Sequence, residues 1–519
     1  LCAPHPATAI KACGRNAAAA LELLEQSREA STADVFAFAT AVSVCGKGGR
    51  WAEAIALLDT METDGILPDR ACFNAALAGC ARSGRPAEAH ALIERMAACS
   101  LPPTSSSYTA CARASLQCGD RHGAFAALDL IRHAGLPMDW QALQVELTAN
   151  EGLLTSGGDE EGARSVRKRI GELVRDSLRL HRANSLRRSD VTWLWRLYSR
   201  TTLDAVRSSV VENVDLPQAD AEATSQLLAS LSTSASSGEM PCFDDERALV
   251  GYTWFNMINR AGKMADVLRD VPPEWLRTRA LESSQFKGPI ISLGGGPAYD
   301  FAAVAILQAF EDMEQADATA SEPVRVHVLD FAPGWEGVAR AVSAAVVSEL
   351  GDVRHQMTFG HCDLTKPLES TSNTAVHALL PESRLLVCSY VIAENAKRLQ
   401  ATEYAFFAEL LEKAAPGALL AITETTHRQF PELIAAARRG VATAGDSCAL
   451  EVSLASIRGQ GGSQCLLFKR PRNAGEQAAV AATRSSSSST ELQLELCAER
   501  NRAHRNSQRV HGAQNRPSR

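Results

Sequence analysis

The residues best equipped for chemistry lie in the back half of the chain. Gly294, Gly295 and Gly296, followed by Pro297 and Ala298, form a turn that lets a ligand approach the backbone closely. The helix expected after this turn aims its positive dipole end at the same spot. Asp330 closes the next β-branched run, VRVHVLDFAP, and an acid there is suited to hold ribose hydroxyls. Asp363 and Leu364 follow a third run in HCDLT, and Ser389 and Tyr390 sit in a fourth, RLLVCSYVIAENA. A glycine turn with an acid speaks for a nucleotide cofactor in general, since nicotinamide dehydrogenases share it. The acceptor side is less defined: Tyr390, Glu394, Asn395, Glu424 and His427 are the candidate polar groups. Glu394 and Asn395 either orient an acceptor or cap the next helix, whereas Glu424 and His427 suit acid–base work. Cys388 falls within the fourth run and reads as packing rather than as a nucleophile. No metal site is expected.

These residues need a scaffold of alternating strands and helices. From Gly288 onward, short apolar runs alternate with helical stretches, which predicts a doubly wound α/β sheet over residues 288–470. PIISLGGGPAYDFAAVAILQAF is a strand, turn and helix, and PGALLAITETT is a fifth strand. CALEVSLASI and SQCLLFKR are spaced as a closing antiparallel hairpin.

The first part of the chain repeats itself. Gly14, Gly49, Gly84 and Gly119 are each 35 residues apart, and so are Phe38, Phe73 and Tyr108. Leu23, Leu58, Ile93 and Leu128 keep the same period, as do Ala54, Ala89 and Ala124. One unit reads as a helix, FAFATAVSVCGKGGR, then a second amphipathic helix, WAEAIALLDTMETDG, closed by a glycine C-cap. A single hairpin cannot bury its own face, so the units must stack into an α-solenoid. Cys45, Cys80 and Cys111 fall inside these helices as small hydrophobes.

The early aromatic, GKGGR or ARSGR, AEA and GILPD together resemble the pentatricopeptide repeat family, in four units over residues 1–140, the first truncated. A degenerate fifth unit is expected around GGDEEGARSV within a basic helical cap, residues 141–188. The resemblance implies binding of single-stranded RNA at one base per repeat. The pairs it implies for base reading are Ala39 with Asp69, Asn74 with Thr104, and Thr109 with Asp139. Thr109 with Asp139 resembles a guanine-preferring pair, whereas Ala39 has no group to offer a base. It also implies a mitochondrial or plastid location. The chain opens on Leu1 inside a repeat, so an earlier targeting segment is expected.

The order of the back-half features resembles class I S-adenosylmethionine-dependent methyltransferases: glycine turn, acid after the second strand, Asp after the third, CSYVIAEN after the fourth, APGALLAI at the fifth. That resemblance implies S-adenosylmethionine as cofactor. Gly294, Gly295 and Gly296 would lie under its methionine and ribose, Asp330 on the ribose, and Asp363 and Leu364 beside the adenine. Ser389 and Tyr390 would line the methyl-transfer mouth. Two departures stand out: Ser292 replaces the usual acid before the first glycine, and Ala298 replaces the third glycine. The gap from Gly294 to Asp330 is lengthened by the insert EQADATASEP.

Residues 189–287 form a helical connector, and the resemblance implies that this extension covers the substrate mouth. Its Trp193, Trp195, Trp254 and Phe255 read as core. The stretch 164–188 has nine Lys/Arg against two acids, with Val166, Ile170, Leu173, Val174 and Leu178 at helical spacing. Residues 1–140, by contrast, carry 12 Lys/Arg and 14 Asp/Glu, a poor balance for phosphate. Net charge is -7, and no apolar run reaches the roughly 18 residues of a membrane span. The 14 cysteines include no CxxC pair. Residues 471–519, rich in Ser, Arg and Asn, are expected to be disordered. Three readings are open: an RNA methyltransferase; a non-catalytic factor for organelle RNA with a degenerate methyltransferase domain; and a protein or small-molecule methyltransferase whose solenoid docks protein partners.

Overall fold

A computed structural model describes residues 5–155, 160–182, 186–270, 288–314, 324–351, 355–424, 428–443, 450–456 and 464–469. His427, the tail 471–519 and most of the insert 314–323 lie outside the described residues. The chain divides into two compact units, Leu1–Leu194 and Trp195–Arg519, and the division falls within one helix, α11 (Arg188–Val211).

The first unit is the α-solenoid. Its hairpins pair α1 (Pro6–Ala12) with α2 (Ala17–Glu29), α3 (Val35–Lys47) with α4 (Trp51–Thr63), α5 (Arg70–Ser83) with α6 (Pro86–Ala98), and α7 (Ser105–Gln117) with α8 (Arg121–His133). A fifth pair, α9 (Trp140–Thr155) and α10 (Glu160–Arg182), has longer helices and breaks the period. The periodic glycines turn each hairpin because they reach a left-handed backbone: φ is 62°, 76°, 62° and 87° at Gly14, Gly49, Gly84 and Gly119. Phe38, Phe73, Ala54, Ala89 and Ala124 are fully buried between neighbouring helices. Cys45, Cys80 and Cys111 are buried too, and burial pushes each thiol up to about 11. In α10 the expected apolar stripe is buried at Ile170, Leu173, Val174 and Leu178. On α9, buried Glu146 is held by Arg132 and Arg169, the latter at 2.7 Å.

The second unit is a Rossmann-like domain with a helical extension. The extension continues with α12 (Ala221–Ser237) and α13 (Glu246–Asp270). The sheet strands are β1 (Ile290–Leu293), β2 (Arg325–Asp330), β3 (Gln356–His361), β4 (Leu385–Ser389), β5 (Leu419–Glu424), β6 (Glu451–Ser456) and β7 (Gln464–Lys469). Their order is β3-β2-β1-β4-β5-β7-β6; the first five run parallel and β7 runs antiparallel to both neighbours. β1, β4 and β5 are buried along their whole length, as strands covered on both faces must be. The closing hairpin is antiparallel, as its spacing predicts.

Two helices lead away from the ends of β1 and β2: α14 (Tyr299–Glu314), after the glycine turn, and α15 (Trp335–Leu350). Helix α13 packs on both. Trp195 is 2% exposed, stacks edge-on to Phe310 at 5.2 Å and donates to Asp266 at 2.7 Å, so it is core as expected. Trp254 and Phe255 are not: they are 43% and 64% exposed. The face of α13 that packs inward carries Tyr252, Thr253, Asn256 and Met257, which turns the two intervening aromatics outward. The Arg207 guanidinium lies over the Trp254 ring at 4.6 Å.

Candidate cofactor and acceptor pocket

The carboxyl ends of β1, β2 and β4 meet where the strand order reverses, the usual place for a ligand crevice in an open α/β sheet. A pocket of about 790 Å³, its open mouth included, lies there. Its floor is the glycine turn. Gly294 and Gly296 adopt φ of 63° and 46°. A Cβ on Gly294 would lie 2.7 Å from Val391, and one on Gly295 would lie 2.3 Å from Ser292 Oγ. The turn is tied to β2, because Gly294 N donates to Leu329 O at 2.8 Å and Gly296 N to Asp330 Oδ2 at 2.8 Å.

Asp330 lines the pocket beside the turn and accepts a second bond, from Ala332 N at 2.9 Å. Burial pushes its carboxyl up to about 6, although the surrounding amides oppose the shift. Asp363 and Leu364 line the wall after β3. Asp363 Oδ1 accepts from Thr365 N and Thr365 Oγ1 at 3.0 and 2.6 Å, which fixes the loop. Phe331, 39% exposed, adds an apolar ring to that wall. Gly294, Gly295, Gly296, Asp330, Asp363, Leu364, Ser389, Tyr390, Glu394 and Asn395, all singled out in the sequence, line one cavity.

Within that set several roles differ from expectation. The Ser389 hydroxyl points inward and donates to Asp300 Oδ1 at 2.5 Å; Ser292 Oγ donates to the other oxygen at 2.7 Å, and Thr423 Oγ1 lies 3.2 Å from Ser389 Oγ. Asp300, 1% exposed, thus ties β1 to β4 through the two hydroxyls. Burial raises its pKa against the lowering effect of the two hydroxyls. Asn395 stands at the N-cap of the following helix, but its Nδ2 donates back to Val391 O at 2.8 Å and its side chain makes no capping bond.

Glu424 is not an acid–base group of this pocket. It sits behind the wall, 1% exposed, and its Oε1 accepts from Ile392 N at 2.6 Å and Ala393 N at 3.3 Å. Burial, then the nearby Glu394 charge, push it up to about 8. Cys388 is fully buried in β4 with its thiol raised well above the ordinary value, which suits packing.

The extension supplies residues that no motif announced. Met240, Pro241, Phe243, Tyr252 and Arg260, all from the extension, line the pocket as well. The Tyr252 ring lies 5.4 Å from Trp335 on α15, and Phe243 packs on the same indole at 5.6 Å. These residues lie far from the glycine turn in sequence and show no spacing that links them to it.

Backbone strain marks the site. Ala298 and Tyr390 hold φ of 63° and 60°, where a Cβ is crowded. Ala298→Gly is expected to raise stability by about 1 kcal/mol, since a left-handed alanine costs about 1–2 kcal/mol. Thermal unfolding of the variant checks this, and an unchanged or lower midpoint would refute the strain.

The residues implied for base reading are placed differently in the solenoid. Asp69 and Asp139 cap α5 and α9, accepting from Cys72 N and Ala142 N at 2.9 Å each. Thr104 precedes α7, and its N–H donates to Ser107 Oγ at 3.2 Å. Asn74 Oδ1 accepts from that same hydroxyl at 2.9 Å. Ala39 is half-buried against the core. Thr109 is 1% exposed and donates to Ser105 O at 2.7 Å, so it cannot face a base as placed; its side of α7 is the packed side.

The family model described as "PPR repeat" matches residues 36–66 and 71–101. No protein of curated function matches the chain. Among solved structures, an O-methyltransferase family protein from Burkholderia thailandensis is 14% identical, with 49% of this chain and 71% of that one covered and a TM-score of 0.30. The pentatricopeptide repeat protein PPR10 from maize is 14% identical, with 84% and 52% covered and a TM-score of 0.30, so the chain spans about half of that protein. An O-methyltransferase from Bacillus cereus, solved with SAH, is 14% identical, with 42% and 96% covered and a TM-score of 0.23. The chain carries pentatricopeptide repeats followed by a Rossmann-like sheet domain.

Proposed function

We propose that this protein binds single-stranded RNA through its repeats and carries an S-adenosylmethionine-dependent methyltransferase site, with RNA of a mitochondrion or plastid as acceptor. The observation that carries the catalytic part is the glycine turn joined to Asp330 at the strand-order reversal. The turn packs so tightly on Val391 and Ser292 that it holds its backbone at the pocket floor, and Asp330 offers acceptor oxygens to ribose hydroxyls. Leu364 and Phe331 give a flat base an apolar wall. When bound, the cofactor supplies an electrophilic sulfonium methyl. The chain's own contribution is to orient, and to exclude water with Met240, Pro241 and Phe243, since methyl transfer to a good nucleophile runs on proximity and alignment.

A second reading, in which the solenoid docks a protein and the acceptor is a protein or small molecule, draws support from buried Thr109 and apolar Ala39. One experiment separates the two. The full chain is incubated with organellar RNA, organellar protein and S-adenosylmethionine labelled in its methyl group. Label in RNA supports the proposal; label in protein alone moves the assignment to the second reading. Cofactor binding with no label anywhere would leave an RNA-binding factor without catalysis. The organelle assignment fails if a fluorescent fusion of the full gene product stays outside both compartments.

A further inference from the structure

One part of the pocket has no role in holding the ribose or the base. On the wall formed by the extension and the loop after β4, the Arg260 guanidinium and the Glu394 carboxylate lie side by side at 3.5 Å. Both line the cavity that contains the glycine turn and Asp330. Their side chains are 16% and 25% exposed, low enough to make each charge costly if left poorly paired. Yet the separation exceeds the roughly 2.7–2.9 Å of a charge-assisted hydrogen bond. A guanidinium has five donors, and one carboxylate engages at most two of them.

The pair is also held in place. The Tyr390 and Tyr252 rings lie 4.6 and 5.1 Å from the guanidinium. The Glu394 carbonyl accepts from Ser234 Oγ at 3.3 Å, and the preceding amides of Ile392 and Ala393 are gripped by Glu424. Two opposite charges, fixed on a pocket wall and loosely joined, match an α-amino acid, whose carboxylate and ammonium are likewise close and opposite. Preorganisation of this kind favours a ligand that inserts both groups.

Resting on the pocket's assignment to an S-adenosyl ligand, the geometry points to Arg260 and Glu394 as a clamp for the α-amino-acid end of that ligand, Arg260 taking the carboxylate and Glu394 the ammonium. The clamp adds a specificity that the glycine turn and Asp330 do not supply. It would reject adenosine thioethers that lack the amino-acid tail, because they leave the wall charges without partners.

The test is calorimetric titration of the full chain with three probes. S-adenosylhomocysteine has both groups, decarboxylated S-adenosylmethionine keeps only the ammonium, and 5′-methylthioadenosine has neither. Arg260→Gln and Glu394→Gln should each weaken S-adenosylhomocysteine by roughly 10- to 100-fold. Both should leave 5′-methylthioadenosine unchanged, and the decarboxylated probe should respond to Glu394→Gln alone. Tighter S-adenosylhomocysteine binding by Glu394→Gln would show that Glu394 competes for Arg260, and would overturn the clamp. Equal weakening of all three probes would make the pair a structural brace instead. If the wild-type chain binds none of the probes, the pocket reading itself fails; if it binds them and the variants behave as wild type, only the clamp fails.

Discussion

Asp330→Ala is expected to weaken S-adenosylhomocysteine about 100-fold while the sheet domain stays folded. Hydrogen bonds to a charged acceptor contribute about 1.5–3 kcal/mol, and this carboxylate is placed to accept ribose hydroxyls. The substitution also frees Gly296 N, which Asp330 Oδ2 holds at 2.8 Å, so the floor of the pocket loosens as well. Asp330→Asn keeps one oxygen for Gly296 N but loses the charge and turns an NH2 donor toward Ala332 N, and should fall between wild type and Ala. The carboxyl is pushed up to about 6 by burial, so affinity should decline as pH falls through that value and the acceptor takes a proton. Calorimetry from pH 5 to 8 reads both effects. Undiminished affinity in Asp330→Ala would remove the central residue of the pocket reading.

Glu424→Gln should stabilise the domain by something on the order of 2–4 kcal/mol at pH 8. Glu424 is 1% exposed and is pushed up to about 8, chiefly by burial and secondarily by the Glu394 charge. In the unfolded chain the same group ionises near its ordinary 4.5. The folded state therefore binds the extra proton between these values. Stability is greatest below the lower value and is lost as pH rises through the upper one. Glutamine keeps an oxygen for the amides of Ile392 and Ala393 without the proton, so its stability profile should be flatter from pH 5 to 8. Glu424→Ala, by contrast, strands both amides and should cost about 1–3 kcal/mol. Scanning calorimetry at several pH values measures all three proteins. Parallel pH profiles for wild type and Glu424→Gln would show that Glu424 is not the titrating group.

Both experiments bear on residues that the sequence singled out and that the structure places differently. The place of Asp330 on the pocket was legible because it is local: the end of a β-branched run after a glycine turn fixes where its side chain points. Glu424 also ends a strand, β5, yet it faces the loop after β4 rather than the cavity. Strand pairing in space, not position along the chain, separated the two. The same holds for Trp254 and Phe255, where helical content was readable but not which side of α13 would meet the sheet domain.

The sequence by itself determined the repeat length, the left-handed hairpin glycines, the buried Phe and Ala positions and the sheet with its antiparallel closing pair. These arise from periodicity and backbone sterics, which act over a few residues and leave a mark in every unit. Tertiary structure alone decided that Asp300 accepts from both Ser292 and Ser389, that Thr109 is packed away, and that Arg260 joins Glu394 across 134 positions. Such partnerships rest on through-space distance between side chains remote in sequence, and no spacing rule records it.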